Sequence, residues 1–168
     1  MTATTILIDG FQRVRDALYP ALGGLTSDQL AHRPGPESNS VAWLVWHLAR
    51  IQDAQVAELA GVEQVWMLEG WVERFALSLD PTDTGYGHDA AQMAAVIADA
   101  DLLLGYFEAT HARTIELVAS MSDTDLHRIV DHHWDPPVTA AVRLVSIISD
   151  DLQHVGQVAY LRGMLLAE

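Results

Sequence analysis

The chain has no cysteine and no lysine among its 168 residues. Without cysteine it can form no disulfide, offer no thiolate ligand to a metal and use no thiol nucleophile of its own. Without lysine it cannot form a Schiff base with a carbonyl substrate. Basic residues are scarce altogether: the chain has nine of them and 23 acidic residues, so the net charge is −14 and the pI is near 4.7. This excess argues against nucleic acid and against an anionic membrane as partners.

Long apolar runs are missing as well. No run approaches the roughly 18 residues that a membrane-spanning helix needs, and the N-terminus lacks the charged-then-apolar pattern of a signal peptide. We therefore expect a cytoplasmic protein. The hydrophobic fraction of 50% and the mean hydropathy of +0.14 are ample for a core, and the length fits one domain over residues 1–168.

Four long helices are predicted from apolar residues that recur at intervals of three and four. Pro20 and Gly61 mark the ends of the first two, and Asn39-Ser40 looks like the N-cap of the second. The four helices are expected from Leu7 to about Pro20, from residue 41 to about 61, from about 89 to 119, and from about 138 to 166.

Short helical turns are predicted in the connections. Thr26 is followed three residues later by Gln29, which is the spacing of a capping box, and Ser122 begins a similar turn. Residues 131–137 are expected to form a loop, and no alternating strand pattern is present. The sequence therefore predicts an all-α protein, a four-helix bundle with short helical turns in its connecting loops.

The most informative segment lies in the last predicted helix, where Asp150 and His154 are four residues apart. On a helix they project from one face, in a stripe otherwise occupied by apolar residues. A buried carboxylate needs a hydrogen bond, an ion pair or a metal, because burial without a partner is costly. His47 lies in an equally apolar pattern far upstream. The three residues together predict a three-ligand metal site.

Several short motifs resemble one protein family. They are Trp46-His47-Leu48 within residues 39–50, the Gly85-Tyr86-Gly87-His88 element, and His154-Val155-Gly156-Gln157 within residues 150–157. In this order and on these helices they resemble the DinB/YfiT-like superfamily, small four-helix bundles described as metal-dependent thiol transferases. More narrowly, they look like an actinobacterial branch of that superfamily.

The resemblance implies a metal triad of three histidines. His47 matches the first position and His154 the last, but Asp150 stands where the middle histidine is usual. Two histidines and one carboxylate are a competent set for Zn²⁺, Ni²⁺ or Fe²⁺. Asp150 can instead accept hydrogen bonds from the neighbouring backbone or pair with Arg50 or Arg143, and the choice stays open at this point.

Other polar residues near these motifs have alternative roles. Asp151 is a second candidate for the carboxylate ligand, or a partner that orients an imidazole. Arg50, one turn after His47, can hold an anionic substrate group or developing negative charge, or else form an ion pair with Asp53 or Asp150. His88 can act as an acid–base group or extra ligand, or simply cap the third helix.

The function expected from the resemblance is transfer of a low-molecular-weight thiol, mycothiol if the source is an actinobacterium, to an electrophilic small molecule. Because the chain has no cysteine, the sulfur nucleophile must be a cosubstrate. The alternatives are a metal-dependent hydrolase or isomerase that uses bound water, and a non-catalytic protein with a degenerate site. A homodimer is a family-level expectation.

Overall fold

The computed structural model describes residues 2–167 and is helical through most of them. Short helices connect the long ones, and one small hairpin precedes the last helix. The elements are α1 (Ala3–Leu22), α2 (Ser27–Ala31), α3 (Val41–Ala60), α4 (Val65–Leu68), α5 (Trp71–Phe75), α6 (Ala90–Ala94), α7 (Ala100–Ser120), α8 (Asp123–His127), β1 (Ile129–Asp131), β2 (Val138–Thr139) and α9 (Ala140–Leu165). The predicted helical bundle is confirmed.

The bundle consists of α1, α3, α7 and α9. Helices α1 and α9 are parallel, because Gly10 packs against Ile148 near one end while the Arg162 Nε donates to the Gly23 carbonyl, 3.0 Å away, near the other. The first and last helices of the bundle therefore run in the same direction.

The two middle helices run the opposite way. Arg15 of α1 contacts Glu108 of α7 at 2.8 Å, and Leu7 shares a core cluster with Val118, which comes later on α7. Helix α3 is likewise antiparallel to α9, because the start of α3 shares one core cluster with the end of α9, and the end of α3 shares the other with the start of α9. The helix directions along the chain are therefore up, down, down and up, and α3 packs against α9 with His47 against His154.

A buried polar layer divides the core into two apolar clusters. On α9 the layer consists of Asp151, which lies between the apolar residues Ile147 and Val155. On α3 the layer consists of Gln52. On α7 the layer contains Thr110 and Thr114. These polar residues are at most 1% exposed. The metal-ligand candidates lie close to this level of the bundle.

Polar caps fix the helix starts, as the sequence predicts. The Thr26 hydroxyl accepts the Gln29 amide and the Gln29 side chain returns to the Thr26 amide, which completes a capping box. Ser122 forms a second capping box at α8, and at α3 the Ser40 hydroxyl accepts the Trp43 amide. At the other end of α3, Gly61 takes the left-handed conformation with φ of 67°, which suits glycine at a helix C-terminus.

The third predicted helix, over 89–119, is wrong as a single element. The chain forms the short helix α6 and then breaks before α7 begins at Ala100. Asp99 is the cause of the restart, because its carboxylate accepts the Leu102 amide as an N-cap. Val96, in the break, is 1% exposed, so packing holds the segment without helical hydrogen bonds.

A two-stranded antiparallel sheet was not expected. Ile129 pairs with Thr139 and Asp131 with Val138, on either side of the predicted loop. Two or three residues a strand are too few to produce a recognisable alternation. The hairpin leads directly into α9, whose N-cap is Thr139.

The long helices carry polar groups in their middle turns. Arg50 and Asp53 lie in α3, and Asp150 and Asp151 in α9. In keeping with this, none of the helices formed by residues 2–167 is both long enough and apolar enough to pass through a bilayer.

Candidate metal centre

His47, Asp150 and His154 come together between α3 and α9. Each offers one ligand atom, and the three atoms lie within 4.8 Å of one another. The two imidazole rings meet edge to face, with centroids 5.0 Å apart. Among the residues that the structure describes, this is the group of histidine and acidic side chains able to hold a metal ion.

His47 is held from two sides. Its Nδ1–H donates to the Thr84 carbonyl oxygen at 2.5 Å, and its ring stacks on Trp43 with centroids 4.5 Å apart. The side chain is buried, and burial lowers its pKa although the Thr84 bond opposes this. A neutral ring that carries its proton on Nδ1 has a free lone pair on Nε2, which is the form that binds a metal.

His154 is oriented by its own helix. Its Nδ1–H donates to the Oε1 of Gln157, 2.8 Å away, so its Nε2 lone pair is also free. That Nε2 lies 3.6 Å from the Asp150 Oδ1. Gln157 thus contacts the candidate ligand one turn before it on the same helix.

Asp150 forms neither of the predicted ion pairs. Arg143 is bound to Asp131 at 3.1 Å, and the guanidinium of Arg50 has other partners. The Asp150 Oδ2 is buried without a hydrogen-bond partner, a costly arrangement for a carboxylate unless a cation is bound. Two free imidazole nitrogens and a carboxylate oxygen of Asp150 therefore fit a divalent ion.

Asp151 is not a member of the ligand group. It belongs to the polar layer inside the bundle, is 0% exposed, and neither of its carboxylate oxygens has a hydrogen-bond partner. Burial, together with the neighbouring charge of Asp150, raises its pKa well above the usual carboxyl range. The Asp151 carboxyl group therefore holds its proton more tightly than an exposed aspartate does.

Arg50 is fully buried. Its Nε donates to the Asp83 carbonyl at 3.0 Å, and its Nη1 donates to the Gln64 Oε1 at 2.8 Å. The guanidinium also lies over the Trp66 ring, 4.8 Å from the centroid. The predicted ion pair with Asp53 is present at 3.7 Å. This placement favours a structural role over direct contact with a substrate anion.

His88 is similarly enclosed, with a side chain only 2% exposed. Its Nδ1 accepts the Trp43 Nε1–H at 3.1 Å. Its Nε2 lies 3.2 Å from the Asp83 Oδ1, a close electrostatic contact that is poorly aligned for a hydrogen bond. The cap of α6 is Asp89, not His88.

Residues 83–85 are part of this region, although sequence analysis identified no role for them beyond the glycine motif. Thr84 contributes only its main-chain carbonyl, so no side-chain pattern could have identified it. Gly85 has φ of +92°, and a Cβ there would lie 2.6 Å from the His47 Nδ1. The recurrent glycine of the motif was the available signal, and its physical reason is this close approach.

A groove of about 680 Å³ runs beside the candidate metal centre, between the second half of α9 and the loop before α3. Gln157, which holds His154, also lines the groove. Gly156 leaves it open, because no atom would lie within 4 Å of a Cβ at this position. The other lining residues include Asn39, Leu44 and Tyr160, and none is basic.

The chain was compared with known families and structures. A sequence model of the DinB superfamily matches residues 11–158. A crystal structure of a conserved protein of locus from Enterococcus faecalis superposes with a TM-score of 0.93 at 32% identity, covering 100% of this chain and 99% of that chain. No curated protein matches. The chain belongs to the DinB superfamily.

Proposed function

We propose that the protein is a metal-dependent transferase that uses a low-molecular-weight thiol as cosubstrate. The observation that carries the proposal is the three-residue cluster, in which two free imidazole nitrogens lie close to the Asp150 carboxylate, one oxygen of which is buried without a partner. The absence of cysteine in the chain supports an external sulfur nucleophile. Nitrogen and oxygen donors of this kind suit Zn²⁺, Ni²⁺ or Fe²⁺.

A divalent ion in this site would lower the pKa of a thiol or a water molecule bound beside it. The protein residues provide the rest. His47 and His154 keep their Nε2 atoms free because Thr84 and Gln157 accept their Nδ1 protons. Asp150 contributes negative charge and is the most exposed of the three, so it marks the side open to small molecules.

The groove beside the site can accept the part of the cosubstrate that does not react. Its volume lies within the usual range of roughly 300–1,000 Å³ for small-molecule sites. The family resemblance makes mycothiol the thiol of this proposal. We place the reaction in the cytoplasm, where low-molecular-weight thiols are kept reduced.

A homodimer is part of the same proposal. Apart from Asp150, whose side chain is 40% exposed, the exposed residues of α9 carry no charge, although the chain as a whole has a net charge of −14. Val145, Leu152 and Tyr160 are exposed apolar residues on this helix. An uncharged strip lets two acidic copies approach without repulsion. Light scattering after size exclusion, on wild type and Leu152→Glu, would measure the mass.

The first experiment is elemental analysis of protein purified without a metal-affinity tag, on wild type and His154→Ala. His133→Ala is the matched control, because that side chain is 95% exposed and lies outside the cluster. We expect bound metal in wild type and in His133→Ala, and its loss in His154→Ala. Metal-free wild type whose melting temperature ignores added Zn²⁺, Ni²⁺ and Fe²⁺ would favour a non-catalytic protein.

The second experiment is calorimetric titration of the metal-loaded protein with mycothiol. Binding that disappears on removal of the metal supports the transferase. A second candidate, a metal-dependent hydrolase or isomerase, is favoured by Asp150, because a carboxylate ligand weakens the preference for thiolate. Turnover of esters or amides with no added thiol, and no thiol binding, would select that candidate.

A further inference from the structure

Residues 83–85, here called the strap, cross α3 beside His47. Two successive carbonyls of the strap are hydrogen-bonded to α3 side chains: the Asp83 carbonyl accepts from Arg50 and the Thr84 carbonyl accepts from His47. Arg50 and His47 are three residues apart, so they project from the same face of the helix. The strap is thus attached to one helix face at two consecutive peptide groups.

The Arg50 attachment is rigid. Its guanidinium is 0% exposed and donates to the Gln64 side chain and, at 3.2 Å, to the Tyr106 hydroxyl. The same hydroxyl donates to the Asp53 carboxylate at 2.8 Å. Asp53 also accepts two amide protons at the start of α4. Arg50 therefore has fixed contacts on α3, α4 and α7 and cannot swing away from the strap.

A second set of contacts holds the strap from its other side. The Asp83 carboxylate lies 3.2 Å from the His88 Nε2, and His88 accepts the indole proton of Trp43. Trp43 in turn stacks on the His47 ring. These contacts form a closed loop that begins and ends at His47, and they enclose the Nδ1 edge of its ring.

We propose that Arg50 is a positioning residue of the metal site, which acts on His47 through the backbone of the strap. By holding the Asp83 peptide, it fixes the Thr84 carbonyl against the His47 Nδ1. That bond keeps the proton on Nδ1 and directs the Nε2 lone pair toward Asp150 and His154. The inference rests on the metal-binding part of the proposed function and is independent of the reaction.

Gly85 makes the contact sterically allowed. A Cβ at this position would lie 2.6 Å from the His47 Nδ1 and 3.0 Å from the Trp43 ring, distances at which something must move. The neighbouring Gly87 has a similar positive φ of 76°, yet a Cβ there would meet nothing within 4 Å. Alanine substitutions at the two glycines therefore distinguish the effect of backbone strain, present at both, from the effect of contact with His47, present only at Gly85.

The test compares four variants: Arg50→Met, Arg50→Lys, Gly85→Ala and the matched control Gly87→Ala. Zinc affinity is measured by competition with a chromophoric chelator, and Co²⁺ absorption spectra report the ligand geometry. Loss of an outer contact to a metal-bound histidine typically costs roughly 10- to 100-fold in affinity. We expect that loss, with an altered Co²⁺ spectrum, in Arg50→Met and Gly85→Ala, a partial loss in Arg50→Lys, and wild-type values in Gly87→Ala.

A folded Arg50→Met with wild-type zinc affinity and an unchanged Co²⁺ spectrum would overturn the proposal. So would equal losses in Gly85→Ala and Gly87→Ala, since strain alone would then account for both. If Arg50→Met does not fold, the ring ¹⁵N shifts of His47 in metal-free wild type still decide. We expect the proton on Nδ1, and a proton on Nε2 would refute the role of the strap even if the protein bound no metal.

Discussion

The two halves of the candidate metal centre are built differently. On the α3 side, His47 is 7% exposed, covered by an indole and bonded to a main-chain carbonyl. On the α9 side, the Asp150 side chain is 40% exposed and His154 has one hydrogen bond, to a side chain of its own helix. The difference teaches that α3 supplies a fixed ligand, whereas α9 supplies the ligands that a small molecule can reach.

The largest loss of stability is expected from removal of Asp53, the carboxylate that holds Arg50 on the α3 side of the site. Asp53→Ala would leave Arg50 buried without its nearby carboxylate, two α4 amides unpaired, and the Tyr106 hydroxyl proton without an acceptor. Breaking a buried pair from one side typically costs about 3–5 kcal/mol. Urea unfolding of the metal-free protein would measure the loss. Asp9→Ala, which breaks an exposed ion pair, is the control, and equal losses in the two would contradict the contrast.

The next prediction separates the two histidines. His47→Ala and His154→Ala should both reduce zinc affinity by more than the roughly 100-fold that an outer contact costs. Only His47→Ala should also lower the free energy of unfolding, by about 1–3 kcal/mol, because it leaves the Thr84 carbonyl unpaired and Trp43 without its stacking partner. Thermal unfolding of both metal-free variants tests this, and equal melting temperatures would refute it.

The next prediction concerns Asp151 in the buried polar layer and the pH dependence of the free energy of unfolding. Its pKa is raised by burial, so the folded chain retains a proton that the unfolded chain loses above about pH 4. Its stabilising contribution is full below that pH and falls as the pH rises toward the folded-state pKa. Asp151→Asn should flatten this slope and gain about 1–3 kcal/mol at pH 8.

Urea unfolding of metal-free protein at pH 5 and pH 8 provides the measurement for Asp151→Asn. Glu63→Gln, at an exposed loop position, is the matched control and should leave the difference between the two pH values unchanged. An Asp151→Asn protein with the wild-type slope would show that another group titrates.

The smallest change in stability is expected at the exposed ligand. Asp150→His produces the three-histidine set that the family resemblance implies, and it should alter the free energy of unfolding by less than about 0.5 kcal/mol, as is usual for accessible positions. Its effect should appear in ligand choice, because a third imidazole in place of a carboxylate makes the site more favourable for a thiolate. Titration of the zinc-loaded variants with 2-mercaptoethanol would compare them, and weaker thiol binding in Asp150→His would contradict the expectation.

The sequence was sufficient for the parts of the fold that depend on local patterns. Apolar spacing located the long helices, and Thr26, Ser40 and Ser122 located three helix starts. It also brought together His47, Asp150 and His154, because helical spacing and family resemblance both act on side-chain identity. The break before α7 was missed because Asp99 lies in a segment whose apolar spacing continues without interruption.

The parts that depend on tertiary contact were beyond prediction. Thr84 acts through a carbonyl that every residue possesses, and its importance comes from where residues 83–85 cross α3. For Arg50 the sequence left open an anion-binding role and an ion pair with Asp53 or Asp150, and a charged group is normally exposed. Only the positions of Gln64 and Tyr106, distant in sequence, show that it is buried and bonded.

The stacking of Trp43 on His47 has a practical consequence. An indole with its ring centroid 4.5 Å from that of a metal ligand is a fluorophore in van der Waals reach of the site. Paramagnetic Ni²⁺ or Fe²⁺ bound at His47 would quench its emission strongly, whereas closed-shell Zn²⁺ would change it only through polarity. The protein therefore contains its own optical probe, and a Trp43→Phe variant would identify which part of the emission reports the ion.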